Sequence, residues 1–304
     1  MARVIDIFRE EHQESLTSTC GLLGRSRQVY YRHLKSQRRY QTKAAIVIEM
    51  VQRIRSEQPR IGTRKLHYLL KDDLKGIQVG RDRLFAILRA NRMLIKPKRS
   101  YHITTDSHHR FRKHRNLMKK MDVKRPEQVW VSDITYVGNR NNPMYLALVT
   151  DAYSKKIVGY DVSDSLDVSS SCKALKMAGK SRKTYKVLLH HSDRGLQYCS
   201  GEYQRLLSKD DINCSMTEAY DPYENAVAER INGILKQEFL GDTKNLRLKT
   251  MKQLVSDSIQ IYNNKRPHYS NYYLTPQQMH QQQKIQMRTY KSKKLNEDIL
   301  VELN

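Results

Sequence analysis

The sequence lacks the features that mark several protein classes. Its four cysteines, Cys20, Cys172, Cys199 and Cys214, form no CxxC pair, which argues against a zinc module or a disulfide framework and fits a reducing, cytosolic setting. No apolar run reaches the roughly 18 residues that a membrane-spanning helix needs. The longest candidate, Ala44 to Val51, is interrupted by Glu49, and Asp6 and Glu10 spoil any secretory leader. Acids are few, 31 against 56 Lys and Arg in 304 residues, leaving a formal charge of +25. A chain that repels itself this strongly usually meets a polyanion, and nucleic acid comes before an anionic membrane as the candidate. Phe (4) and Trp (1) are scarce beside 19 Tyr, and a flat ring with a polar tip suits a surface that meets sugars, phosphates and bases.

The charge is unevenly spread. Residues 1–122 carry 29 basic and 11 acidic side chains, residues 123–240 carry 16 and 15, and residues 241–304 carry 11 and 5. The basic excess therefore lies at the two ends, and a site built from carboxylates can survive in the nearly neutral middle.

The first hundred residues read as short helices. Leu16 to Leu23 is followed by Gly24, and Ser26 caps a helix to about Lys35, a plausible helix-turn-helix over 1–40. A second helical segment over 41–100 opens with an amphipathic helix from Ala44 to Ser56, which Pro59 ends. Thr63 caps a helix through Leu74, Gly76 closes it, and Gly80 opens another that ends near Asn91. This last helix sets Arg81, Arg83 and Arg89 against Leu84, Ile87 and Leu88, and the three arginines are candidate DNA contacts. Residues 101–122, with His102, His108, His109 and His114, read as a basic linker.

Periodicity changes at Val129. Val129 to Val137, Met144 to Tyr153 and Ile157 to Val162 are strand-like, rich in Val, Tyr and Thr. A helix over 168–178, a strand over 185–191, a helix over 201–207 and another over 225–240 follow. Consecutive strands followed by alternating helix and strand make an α/β sheet flanked by helices over 123–240. Residues 241–304 read as a helical extension whose Gln-rich tail, from Gln277, is low in complexity.

Two carboxylates sit where strands carry chemistry: Asp133 within the first strand and Asp193 just after a later one. On the 225–240 helix, Asn225, Glu229, Asn232 and Lys236 share one polar face, opposite Val227, Ile231, Ile234 and Leu235. By position alone Asp151 and Glu224 compete with these acids. His190 and His191 are either metal ligands or a packed, hydrogen-bonded strand-end pair.

The words WVSDITY, HSDRGLQY and NAVAERINGILKQE, with 35 residues between Asp193 and Glu229, resemble those of the DDE transposases of insertion-sequence family three, relatives of retroviral integrases. LLGRSRQVYYRHL and PRIGTRKLHYLL resemble that family's helical DNA-binding segments, and YNNKRPHYSNYYLTP its terminal signature. The resemblance implies an RNase H-like catalytic domain preceded by all-α helix-turn-helix segments. It makes Asp133, Asp193 and Glu229 the catalytic, metal-holding acids, and sets Lys236 near the element's terminal DNA. Asn225 and Arg266 fall on matching stretches and are carried as DNA contacts. Arg230-Ile231-Asn232 departs from the Ser-Phe-Phe often found after the catalytic Glu, which bears on DNA-end preference and not on the carboxylates.

Cutting and joining DNA is phosphoryl transfer, with charge accumulating on the attacking and leaving oxygens. Two Mg²⁺ ions, or Mn²⁺ in their place, suit that task and need only a few carboxylates. The implied partners are double-stranded DNA, as terminal inverted repeats and target, and further copies of the chain, at least a dimer on paired ends. A copy-out, paste-in route in a bacterial cytoplasm and nucleoid follows from the family. A structure-selective nuclease and a domesticated DNA-binding protein without catalysis are the other readings.

Overall fold

The computed structural model describes residues 2–96, 113–119, 121–138, 142–218, 225–241 and 246–288. Most of the expected linker, including His102, His108 and His109, and the rival acid Glu224 lie outside them. The chain divides into two compact units, 1–56 with 62–95, and 57–61 with 96–304.

The first unit is all α: α1 (Ala2–His12), α2 (Leu16–Leu22), α3 (Arg27–Glu57), α4 (Thr63–Leu69), α5 (Lys71–Gly76) and α6 (Arg81–Ala90). Ser15 caps α2 by accepting from the Ser18 amide at 3.1 Å, and Gly24 supplies the left-handed turn before α3 at φ 64°. Ile5, Cys20 and Tyr30 are buried together, and the Tyr30 hydroxyl donates to Asp6 at 2.5 Å. The break expected near residue 40 is absent, since α3 runs unbroken for 31 residues. Its middle, Ser36 to Lys43, loses apolar periodicity but holds neither Gly nor Pro, so nothing stops the helix. The 1–40 and 41–100 segments are thus joined by one rod. Gly62, not Thr63, occupies the cap position of α4, and Leu70 separates α4 from α5 where one helix was expected. Helix α6 buries Leu84, Ile87 and Leu88, and Arg55 of α3 donates to the Met93 carbonyl just beyond it at 2.8 Å.

The second unit holds β1 (Val129–Tyr136), β2 (Tyr145–Asp151), β3 (Ile157–Ser163), α7 (Val168–Ser181), β4 (Leu188–Ser192), α8 (Leu196–Cys199), α9 (Gly201–Lys209), β5 (Ile212–Met216) and α10 (Ala226–Ile234). A π-helical turn (Leu235–Phe239), α11 (Leu248–Lys265) and α12 (Pro276–His280) complete it. The five-stranded sheet has the order β3-β2-β1-β4-β5, with β1, β2 and β3 antiparallel and β1, β4 and β5 parallel. β5 escapes the sequence pattern because its five residues, INCSM, are short and half polar. β4 starts three residues later than expected. Arg182 donates to the Thr184 and Lys186 carbonyls at 2.7 and 2.9 Å and holds that approach as a loop.

Alternation along the strands sends apolar residues to both faces. One face packs Trp130, Ile134, Ala147, Val149 and Val158 against Leu175 of α7 and Tyr203 and Leu207 of α9. The other packs Leu146, Leu148 and Val162 against Ile231 and Ile234 of α10 and Met251, Val255, Ile259 and Tyr262 of α11. α7 crosses β3 so closely that a Cβ on Gly159 would stand 2.0 Å from the Ala174 carbonyl oxygen.

Residues 241–304 were expected as an extension, yet their described part belongs to this core. Asn263 pairs with Ile157 like an added strand residue, accepting from its N–H and donating to its carbonyl, both at 3.0 Å. Asn271 donates to the Ser154 carbonyl at 2.7 Å. The Gln-rich segment forms α12, opened by a Thr275/Gln278 capping box, with Met279 fully buried. Tyrosines serve the interior as well as the surface: Tyr153, Tyr203 and Tyr262 are fully buried, their hydroxyls bonded to Ile285, His190 and Lys155. They supply much of the large aromatic volume that the four Phe cannot.

Candidate active site

The sheet register explains why two acids meet. β1 and β4 pair in parallel up to Val131 opposite His191, and Asp133 and Asp193 each follow two residues on, near enough for the charge of Asp193 to act on Asp133. Neighbouring strands are about 4.8 Å apart. Asp133 shares the face of Val129 and Val131, which α10 covers through Ala228, and α10 brings Glu229 to that side. Asp133 and Asp193 are partly buried and Glu229 is exposed.

Each carboxylate has its own restraint. Asp133 Oδ1 accepts from the Ile134 N–H at 2.9 Å and its Oδ2 from the Asn232 side chain at 2.7 Å. Asp193 Oδ1 accepts from the Gly195 N–H at 3.0 Å. Burial and then the neighbouring Asp193 push the Asp133 carboxyl up to about 7, against the bond from Asn232. Glu229 is raised too, by partial desolvation and then by Asp193. Acids that raise one another in this way concentrate negative charge at this end of the sheet.

Such a cluster fits a hard divalent cation, since it offers carboxylate oxygens without a thiolate or imidazole. Among the described residues, however, no three of His, Cys, Asp and Glu close on one point tightly enough to hold an ion. Asn232 occupies one Asp133 oxygen in this arrangement.

Asp151, His190 and His191 are engaged elsewhere, while Glu224 lies outside the described residues. Asp151 is fully buried and accepts from the Glu127 and Ser154 amides and the Ser154 hydroxyl at 2.7–2.8 Å. Burial acts to raise its pKa, but His280 and Ser154 overcome that and lower it, so it is a structural acid. His190 is buried with Nε2 2.8 Å from both Ser132 Oγ and Tyr203 Oη, and burial pushes it down to about 3, so it stays neutral. His191 Nδ1 meets Ser215 Oγ at 2.9 Å. The two histidines are the packed, hydrogen-bonded pair.

Lys236 places its Nζ 3.4 Å from Thr135 Oγ1 on β1, and burial lowers its pKa against the pull of Asp133. Two of the expected DNA contacts are engaged inside the protein. Asn225 is buried and donates to the Ser132 carbonyl at 3.0 Å, tying the start of α10 to β1. Arg266 is also buried and gives Nε and Nη2 to the two Glu238 oxygens, each at 2.7 Å. Arg81, Arg83 and Arg89 are exposed on α6, although Arg83 lies over the Tyr40 ring at 5.1 Å. Asn232 was visible on the polar face of α10 without a role, and its spacing of three from Glu229 was the available signal. Glu238 gave none.

Family models described as "Integrase core domain" match residues 123–222 and 210–276. A 31 kDa protein of insertion element IS600 from Shigella sonnei is 33% identical over 255 residues, 83% of this chain and 93% of its own length. Transposase InsF for insertion sequence IS3A of Escherichia coli (strain K12) is 28% identical over 283 residues, 90% of this chain and 96% of its own. Among solved structures, the HTLV-2 integrase catalytic core domain in complex with magnesium aligns with TM-score 0.41 and 19% identity, covering 55% of this chain and 99% of that one. The chain belongs to the insertion-sequence-family-three transposases with an integrase core domain.

Proposed function

We propose that Asp133, Asp193 and Glu229 are the catalytic carboxylates of this transposase and would together hold Mg²⁺, in two ions, with Mn²⁺ able to substitute. The observation that carries the reading is the parallel register that brings Asp133 and Asp193 to the same end of the sheet, with the charges of Asp193 and Glu229 acting on Asp133. When bound, the metal stabilises charge on the attacking and leaving oxygens and lowers the pKa of the attacking hydroxyl. The remaining work falls to the chain. Asn232 and the Ile134 amide fix the orientation of the Asp133 carboxylate, and the Gly195 amide that of Asp193. Lys236, half-buried beside β1, receives a phosphate of the element end. The 3′-hydroxyl freed by nicking then gives up its proton and attacks a target phosphorus, so that a new phosphodiester joins the element to the target as the target strand's own 3′-oxygen leaves and takes up a proton.

Arg81, Arg83 and Arg89 on α6 hold terminal-repeat or target DNA through phosphate contacts. Two element ends are paired by at least a dimer of this chain, acting in the bacterial cytoplasm on nucleoid DNA. The test is joining of a labelled element-end oligonucleotide to target DNA in Mg²⁺. Asp133→Asn, Asp193→Asn and Glu229→Gln should each abolish joining while leaving DNA binding intact. Joining that survives any of these changes removes that residue from the site, and cleavage without joining by the parent chain turns the reading to a nuclease.

A further inference from the structure

The helix that carries Glu229 does not end as an ordinary helix. After Ile234 it widens into the π-helical turn Leu235–Phe239, which contains both Lys236 and Glu238. These two side chains, two positions apart, leave the helix on nearly opposite sides. Lys236 reaches Thr135 of β1 on the acid-bearing side of the sheet, and Glu238 reaches Arg266 at the end of α11. A π turn holds one residue more than an α turn, and an α-helix advances about 100° per residue. Removing that residue would swing one of the two away from its partner, and π-turns of this kind are frequent at functional sites.

The Arg266–Glu238 contact is built for geometry. Arg266 is 1% exposed and Glu238 17%, and both guanidinium bonds are 2.7 Å long. The guanidinium also lies over the Tyr262 ring at 5.7 Å, and its Nη1 points to the Pro267 carbonyl at 3.5 Å. Burying both charges costs desolvation that their attraction scarcely offsets, so a pair of this kind contributes little net stability. A bidentate fork contributes one fixed orientation. The Leu235 and Phe239 side chains of the same turn are buried against Met251, Val255 and Tyr262 of the α11 layer, which gives the fork a rigid base.

We propose that Arg266 and Glu238 form a positioning clamp that fixes the end of the catalytic helix, and through it the placement of Lys236 at the DNA end. The inference rests on the reading of Asp133, Asp193, Glu229 and Lys236 given above. It gives the C-terminal RPH segment a part in the chemistry through an arginine that is buried on Glu238.

The experiment uses the full chain and three readouts: melting temperature, binding of an element-end oligonucleotide, and its single-turnover joining rate in Mg²⁺. In Glu238→Met/Arg266→Met both charges leave together, so no buried charge is orphaned and the melting temperature should stay close to that of the parent. Joining should nevertheless fall by about tenfold or more, as displacement of a reacting group by a fraction of an ångström costs. Arg266→Lys, which keeps the charge and loses the fork, should fall between. Added to Lys236→Ala, the double change should lower joining no further, because both act on one contact. Parent-like joining in a folded double variant overturns the clamp. So does a full multiplicative loss on top of Lys236→Ala, or a double variant that unfolds at the assay temperature, since either makes the pair a support of the fold alone. Asp133→Asn is run alongside. If it still joins DNA, the site reading has failed, whatever the clamp variants do.

Discussion

Asp133, the acid proposed for catalysis, burdens its own fold. With its carboxyl raised from 3.8 to about 7, the folded chain binds more protons than the unfolded chain across that interval, so stability falls as pH rises through it. Below about pH 4 both states are protonated and the group costs nothing; above pH 7 the whole penalty is present. In a chelator, Asp133→Asn should therefore melt above the parent at pH 8, with the difference shrinking as pH falls and gone near pH 4. Thermal melts at several pH values read this directly, and a difference that does not change with pH would refute it. Mg²⁺ should narrow the gap at pH 8 by stabilising the parent alone, as expected of a ligand that binds only the folded state. The rival acid Asp151 behaves in the opposite sense, its lowered pKa marking a carboxylate satisfied by donors. Position in the sequence could not tell these two acids apart. Their distant partners, Asn232 for Asp133 and Glu127 and His280 for Asp151, do.

At the level of elements, what could be read in advance were the features that depend on neighbours in sequence. β1, β2 and β3 announced themselves by alternation and β-branched content, and α7, α9 and α10 by their apolar faces. Features that depend on distant partners stayed hidden. Arg266 lies 28 residues from Glu238, and its exposed-looking charge gave no hint of burial. The continuity of α3 was hidden for a different reason, because the stripe of apolar residues lapses over Ser36 to Lys43 while helix propensity does not. Close packing of α7 on β3 was equally invisible, although Gly159 is its precondition. A methyl group there meets the Ala174 carbonyl oxygen at 2.0 Å and the Ala178 amide nitrogen at 2.9 Å, and both are backbone atoms with little room to yield. Gly159→Ala should cost about 3 kcal/mol, at the upper end of overpacking effects. Urea denaturation with an unchanged m-value and a lower midpoint is the expected record. A loss under half a kilocalorie would mean that α7 can shift without penalty.

For the molecule as a whole, the charge of +25 resolves into basic ends and a nearly neutral acid-bearing middle. The acids repel DNA unless a cation sits among them, so non-specific affinity must come from the flanks, and it must be salt dependent through counterion release. Arg81 and Arg89 are exposed on α6, Arg81 beside Asp82 at 3.0 Å, and an exposed pair of that kind is weak enough to yield to a phosphate. The change Arg81→Ala/Arg89→Ala should lower the slope of log K against log salt by about 2, since each phosphate left without its arginine removes about 0.9. The joining rate at saturating DNA should stay as in the parent, because neither residue belongs to the carboxylate site. Arg83 differs, since its guanidinium lies over Tyr40 and links α6 to α3. Arg83→Ala should lower the melting temperature as well as the affinity. Equilibrium binding across a salt series, with melting curves on the same variants, separates the two effects. An unchanged slope in the double variant would remove α6 from the DNA-binding surface.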